Sequence, residues 1–363
     1  DPVGTAIKAP LMIVDELIEP RGAVAQGQNG YVIDGALNDA FTAVNLLFDA
    51  GATVRRVDSD APGVKAGDFI VGAGTAAATL REIATETGVD FGSLNSDASS
   101  VSHPLSRQRI GMYQRYYGGN MDEGWTRLLL EDFEFEYTSL FDRHILEGDL
   151  HEKWDVIILP ADSKGMMTGI REGGDGRGGN PNQTPPEYRS GFGQAGIDAL
   201  EAFVENGGTL ITFAQAGDLP IDEFGLPIRN AVAGMRGNDF WAPGSTLKVD
   251  VDLSSRFAYG MPEDALATFL AGGQVYETVS GARSADVRRI VTYIDRDILQ
   301  SGWLLGEEAI ANKAAVVSVE HGEGTVLLIG FRAQHRAQTH GTFKLFFNAL
   351  VNGRVPMGVA AAG

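Results

Sequence analysis

Residues 155–160 read DVIILP, apolar at every interior position. A strand with one wet face alternates apolar and polar side chains, and a strand covered on both faces does not. DVIILP therefore predicts a buried strand of a parallel sheet. Downstream, 194–205 has helical spacing and stops at Asn206-Gly207-Gly208, a C-cap sequence, and 209–213 (TLITF) follows as the next strand. Upstream, 109–113 (RIGMY) predicts another buried strand. A helix over 122–133 follows it, with Trp125, Leu128, Leu129 and Phe133 on the apolar face. Then come a strand at 135–139 and a short helix at 144–153. Near the end, 325–330 (TVLLIG) returns to the buried type and 342–351 makes a last helix. Strand–helix alternation of this kind predicts a doubly wound, mostly parallel α/β sheet. Between TLITF and TVLLIG, residues 246–251, 287–294 and 314–320 read as strands without long helices between them, so the sheet is expected to carry a β-rich extension. Residues 165–193 form a long Gly/Pro/Asn stretch without apolar period, the kind of loop that is functional or mobile. The glycines at 173–179 lie inside it and do not follow a strand, so they are not a phosphate cradle.

The first hundred residues read differently. Strands are expected at 11–15 (LMIVD), 30–33, 53–57 and 68–71, and helices at 36–49 and 75–87. On the first helix Ala40, Val44, Leu47 and Phe48 share a face, and Gly51 and Gly88 suit the two stops. Serine-rich 95–104 reads as a linker. A chain of 363 residues exceeds one average domain. The expected division is a small α/β linking domain over 1–105, a larger domain over 106–353 and a disordered tail over 354–363.

Composition excludes several classes of function. The chain has no cysteine, which removes disulfides, thiolate metal sites and cysteine nucleophiles together. Its 48 acidic against 29 basic residues give a net charge of −19. Nucleic acids and anionic membranes repel such a chain on average, so no nucleic-acid partner is expected. No apolar run approaches the ~20 residues of a membrane helix, so no membrane span is expected. The sequence starts at Asp1 with neither a basic nor an apolar leader segment, and reads as a processed chain or a fragment.

In an open α/β sheet ligands bind at the carboxyl ends of the strands, which points to four loops, 113–122, 162–164, 214–218 and 332–340. The loop after TLITF is where sheets of this type carry a serine or cysteine nucleophile on a sharp turn. Here it reads Ala214-Gln215-Ala216-Gly217-Asp218, with no usual nucleophile. The loop after TVLLIG gathers Arg332, His335, Arg336 and His340. Arginine can clamp a carboxylate with two hydrogen bonds and histidine can move a proton, so this cluster predicts a site for a small anionic ligand. The plainer alternative is helix capping and ion pairing. Trp125 and Arg127 stand near the same edge. The candidate binding cleft is Trp125, Arg127, Gln215, Asp218, Arg332, His335, Arg336 and His340. No catalytic residue, cofactor or metal ligand is assigned. His144 and Glu147 have the spacing of a zinc-ligand pair, but they sit away from that edge and lack a distant third ligand.

The segments RIGMYQ, MDEGWTRLLLEDFEFEYTSL, DVIILP, AFVENGGTLI, FGLPIRN, PGSTLKVDVD, AYGMPEDA, SGWLLGEE and GFRAQHRAQTHGTFKLFFNAL carry a resemblance. Together they resemble the C-terminal glutamine amidotransferase-like region of large bacterial zinc carboxypeptidase-like proteins. NDAFTAVNLLFDAGATVRRV and TGVDFGSL are similar to the segment linking the two regions of those proteins. The resemblance implies a flavodoxin-like, class I glutamine amidotransferase-like sheet and export to the periplasm or beyond. The family's zinc ligands belong to the upstream metallopeptidase domain, which this chain does not match, so peptide hydrolysis is not carried over.

Three functions are expected in order. First is a non-catalytic accessory domain that binds a small ligand or a protein partner, such as an upstream metallopeptidase domain. Second is a hydrolase using His335 or His340 as base and water as nucleophile. Third is a structural subunit of a larger assembly.

Overall fold

A computed structural model gives the fold and describes residues 10, 12–15, 20–116, 119–170, 191–279 and 286–352. The expected tail at 354–363, and most of the expected loop at 165–193, lie outside the described residues.

The first unit contains β1 (Tyr31–Ile33), α1 (Asp39–Asp49), β2 (Val54–Val57), β3 (Phe69–Val71), α2 (Ala77–Thr87), β4 (Gly92–Ser93) and β5 (Ser102–Leu105). Its strands run in the order β4-β1-β3-β2-β5, and every pairing is antiparallel. The unit is thus an antiparallel sheet with two helices, not a parallel βαβ unit. Ala40, Val44 and Leu47 of α1 are buried as the periodicity predicts.

Two expectations fail here. Residues 12–15 form no strand, and Met12 and Ile13 are 85% and 84% exposed. The expected linker at 95–104 is structured instead: it turns as a 3₁₀-helix at Ser99–Val101 and ends in the edge strand β5. Its polar side chains are compatible with an edge strand, which keeps one side hydrated. His103 of β5 pairs with Asp58 at 2.8 Å.

The second unit begins with β6 (Ile110–Tyr113), α3 (Met121–Asp132), β7 (Tyr137–Leu140), α4 (Asp142–Leu146), α5 (Leu150–Lys153) and β8 (Val156–Leu159). Then follow α6 (Lys164–Thr168), α7 (Gly193–Glu205), β9 (Thr209–Phe213), a 3₁₀ turn (Ala214–Gly217) and α8 (Asp218–Glu223). Next come β10 (Ile228–Asn230), β11 (Gly244–Val251), β12 (Asp264–Leu270), β13 (Tyr276–Thr278), β14 (Val287–Tyr293) and β15 (Leu299–Ser301). The chain closes with β16 (Ala314–His321), β17 (Gly324–Ile329) and α9 (Phe343–Val351). The helix expected at 144–153 is split into α4 and α5, with Gly148 and Asp149 at positive φ between them.

Strands β7-β6-β8-β9-β17 are parallel throughout. Numbered within this sheet, the order is 2-1-3-4-5, the flavodoxin-like order. Beyond β17 the sheet continues antiparallel through β16, β14, β11 and β12, which is the expected β-rich extension.

β8 shows why its sequence does not alternate. Val156 and Ile158 face a core shared with Leu129 and Leu130 of α3 and with α9, while Ile157 and Leu159 face Ile145, Leu150, Leu200 and Phe203 of α4, α5 and α7. All four β8 side chains are fully buried. The first of these cores also takes in Phe41, Phe69 and Leu80 of the small unit. Phe347 of α9 joins them, with ring centroids 5.2 Å from Phe41 and 4.7 Å from Phe133.

Candidate functional site

The parallel strands deliver five loops to one edge, where the predicted residues separate into three groups. The sharpest feature is the turn after β9. Ala214 leaves the strand at φ +48° and is fully buried. A non-glycine residue in the left-handed region costs roughly 1–2 kcal/mol, and such strain collects at functional turns. This is the kind of strand-to-helix elbow on which some α/β sheets carry a nucleophile, and the residue on it is an alanine. The sequence narrows the absent nucleophile only to 214–218; the backbone narrows it to Ala214.

Around the elbow lies a polar cluster supplied by the β-rich extension. Gln274 Nε2 donates to Asp218 Oδ1 at 2.5 Å, and Tyr276 Oη donates to Gln274 Oε1 at 3.0 Å. Burial pushes the Asp218 carboxyl above its usual range, opposed by the Gln274 hydrogen bond. Burial, with the nearby Asp218 charge, holds the Tyr276 phenol well above its usual value. Gly217 leaves room for the cluster, since a Cβ there would stand 2.7 Å from Gln274 Oε1 and 2.8 Å from Tyr276 Oη and would displace them. Gly272 (φ +83°) lies over the turn, and a Cβ on it would stand 2.2 Å from Gln215 Oε1.

The second group joins α3 to the loop after β17. Arg332 Nε donates to Asp122 Oδ1 at 2.7 Å, and its Nη1 donates to the Ala271 carbonyl at 3.0 Å. Gln334 is fully buried and donates from Nε2 to Thr126 Oγ1 at 3.2 Å. Its Oε1 and the His335 Nδ1 are buried without a protein partner. The Trp125 ring meets the His335 ring edge to face, with centroids 4.8 Å apart. Burial, and then the Arg332 charge, hold the His335 imidazole below its usual pKa, which favours the neutral ring at pH 7. The Asn120 side chain caps α3 by accepting from the Asp122 N–H at 3.0 Å.

The third group joins the loops 113–122 and 162–164, which were expected at this edge, through two residues that were not singled out. Arg115 Nε donates to Asp162 Oδ2 at 2.6 Å, and the Ser163 N–H donates to Asp162 Oδ1 at 2.9 Å. Burial raises the Asp162 carboxyl against the pull of Arg115.

The structure therefore brings together Trp125, Arg332 and His335 in one group, and Gln215 and Asp218 in the other, with the 271–274 turn between them. It does not bring in the rest. Arg127 pairs with Glu123 along its own helix. Arg336 is exposed, at φ +53°. His340 packs its ring on Phe343 and offers its carbonyl to Asn38 of the small unit at 2.9 Å, so it belongs to the junction between units.

The expected apolar face of α3 is also corrected. Leu128 is 45% exposed, whereas Asp122, Glu123 and Thr126 are buried beside Leu129 and Leu130. The first turn of that face meets Arg332 and Gln334 rather than the apolar core, so polar side chains fill it. Sequence reasoning missed Gln274 and Tyr276, and it placed the loops of Arg115 and Asp162 at this edge without singling out either residue. The one signal for the first two was the Gly272-Gly273 pair, which lets a turn of the extension close over the elbow. His144 is no ligand candidate, since its Nδ1 accepts from the Phe141 N–H at 3.0 Å, and Glu147 pairs with Lys153.

No family model matches the chain, and no curated protein matches it. Among solved structures it is similar to a ThuA-like protein from Bacteroides uniformis, at TM-score 0.39 and 12% identity over 70% of this chain and 93% of that one. It is also similar to PurLQS from Thermotoga maritima, at TM-score 0.44 and 15% identity over 68% of this chain and 98% of that one. A third is a protein described as a GMP synthase subunit from Thermoplasma acidophilum, at TM-score 0.40 and 10% identity over 70% and 96% of the two chains. None of these three is a carboxypeptidase. The fold assignment rests on the strand order itself.

Proposed function

We propose that the chain is a non-catalytic binding module whose ligand seats on the carboxyl edge of the parallel sheet, between the elbow and the loop after β17. The observation that carries this reading is Ala214. The backbone keeps the strained elbow of a nucleophilic site while its side chain offers no heteroatom. Covalent catalysis there lacks its first participant. The polar surroundings persist: Gln215, Asp218, Trp125 and His335 line the edge on either side of the 271–274 turn.

The ligand class shifts from the one expected. Arg332 is engaged by Asp122 and the Ala271 carbonyl, and Arg127 by Glu123, so neither guanidinium is a free clamp for an anion. A small polar molecule carrying amide or hydroxyl groups suits glutamine, a neutral imidazole and an indole face better. The resemblance to the amidotransferase-like region of exported zinc carboxypeptidase-like proteins supports the further proposal of an accessory unit outside the cytoplasm, positioning substrate for a peptidase partner.

The test is calorimetry against free amino acids, dipeptides and their amides, with Gln215→Ala and His335→Ala as probes. Neither side chain is in an ion pair, so both variants are expected to fold. Binding in the wild type with at least about tenfold weakening in each variant is expected, as for removal of one buried polar contact. Affinity unchanged in both variants would remove the proposed site.

A further inference from the structure

At the opposite edge of the parallel sheet, Glu201, Glu205 and His321 converge. Their ligating atoms all lie within 4.8 Å of one another. His321 Nε2 is 3.2 Å from Glu201 Oε1 and 4.0 Å from Glu205 Oε1. Among the described residues this is the group of three such donors that local geometry brings together.

We propose that these three side chains form a site for one divalent transition-metal ion of the zinc class. The chemistry of the donor set selects the class. Two carboxylates and an imidazole match zinc, cobalt or nickel, whereas magnesium and calcium prefer all-oxygen shells. Bonds of about 2.0–2.2 Å from a shared ion place its ligand atoms roughly 3–4 Å apart, close to the spacing found here.

Three features hold the donors ready. Glu201 and Glu205 stand one turn apart on α7 and so share a face. His321 ends β16, and its ring stacks on Phe224 with centroids 5.8 Å apart. The hairpin that carries it is tied to the end of α7, since the Glu323 N–H donates to the Glu205 carbonyl at 3.0 Å. Gly322, at φ +63°, makes that approach possible: a Cβ there would stand 2.5 Å from Glu205 Cα.

Two carboxylates held one turn apart in a chain of net charge −19 repel each other. A dication between them removes that cost. It would also clip the β16–β17 hairpin to α7 and leave coordination positions open to water or an outside ligand. This site is independent of the elbow and does not rest on the binding function proposed for it.

The experiment uses the full chain, stripped with a chelator and free of any polyhistidine tag, titrated with zinc chloride by calorimetry. One zinc per chain and a rise in melting temperature are expected. Cobalt substitution should give visible d–d bands without thiolate charge transfer, because the chain has no cysteine. His321→Asn and Glu201→Gln should each weaken zinc at least about tenfold, while His335→Ala leaves it unchanged. Glu205 is the most exposed of the three, with 55% of its side chain accessible, so Glu205→Gln retains the fold and should show the same weakening. Absence of zinc binding, zinc binding unaltered in folded Glu205→Gln and His321→Asn, or magnesium binding as tight as zinc would each overturn the site.

Discussion

Ala214 and Asp218 stand four residues apart and carry opposite lessons about cost. Ala214 stores backbone strain, and Asp218 stores an electrostatic one. Burial raises the Asp218 carboxyl, so the folded chain holds this proton to higher pH than the unfolded chain does. In the window above the ordinary aspartate value the folded state binds more protons, and stability falls as pH rises through it. At neutral pH the charged carboxylate is therefore a net cost, partly offset by Gln274. Asp218→Asn keeps an oxygen to accept from Gln274 and loses the charge. We expect it to raise the melting temperature at pH 7 by about 1 °C, under ~1 kcal/mol for a chain of this size, and to leave it unchanged near pH 3. Calorimetric scans at the two pH values check this. A variant that melts at or below the wild type at pH 7 would show that the carboxylate is not a burden, and would weaken the view that it is kept for binding.

Among elements, α3 and the loop after β17 show what the sequence could and could not say. The parallel strands were legible because burial on both faces erases alternation, as in DVIILP. The helices α1 and α7 were legible from their period and their glycine stops. The buried face of α3 was not, because Asp122 and Thr126 read as solvent-facing until Arg332 and Gln334 arrive from 210 and 208 residues away. Nothing local signals such partners. A separation of 56 residues likewise hid Gln274 from the elbow, whereas the absence of a nucleophile at 214–218 could be read from the residue types alone. The Arg332–Asp122 pair joins the two elements with little exposure, 12% and 10% for the side chains. Removing one member leaves a buried charge unpaired. Arg332→Ala is expected to cost about 3 kcal/mol by denaturant unfolding, and Asp122→Leu with Arg332→Met to recover most of that loss. If the single variant costs under ~1 kcal/mol, the pair is solvated and α3 is held by its apolar residues instead.

On the scale of the whole molecule, one buried arginine of the small sheet reaches into the core that the two units share. Arg56 of β2 is fully buried, its guanidinium 3.9 Å from the Phe69 ring centroid, and burial lowers its pKa to about 9. Its Nη2 donates to Asn348 Oδ1 of α9 at 2.5 Å. The same amide donates from Nδ2 to the Tyr259 and Phe257 carbonyls, at 2.8 and 3.3 Å, in the connection between β11 and β12. One side chain thus ties the small sheet, the last helix and the extension, and α9 itself is buried along its whole length. A helix so enclosed cannot leave one unit without stripping the other. We expect the small and large units to unfold together. The chain offers a clean readout, since all four tryptophans, Trp125, Trp154, Trp241 and Trp303, lie in the large unit. Tryptophan fluorescence should therefore lose native signal at the same denaturant concentration as amide-exchange protection is lost in 31–105. Asn348→Ala leaves Arg56 and two carbonyls without that amide, and should cost about 3 kcal/mol while shifting both signals together. Separate midpoints in the wild type, or a shift confined to the small unit in the variant, would mean that the Arg56–Asn348 contact is a docking of two independent folds rather than a shared core.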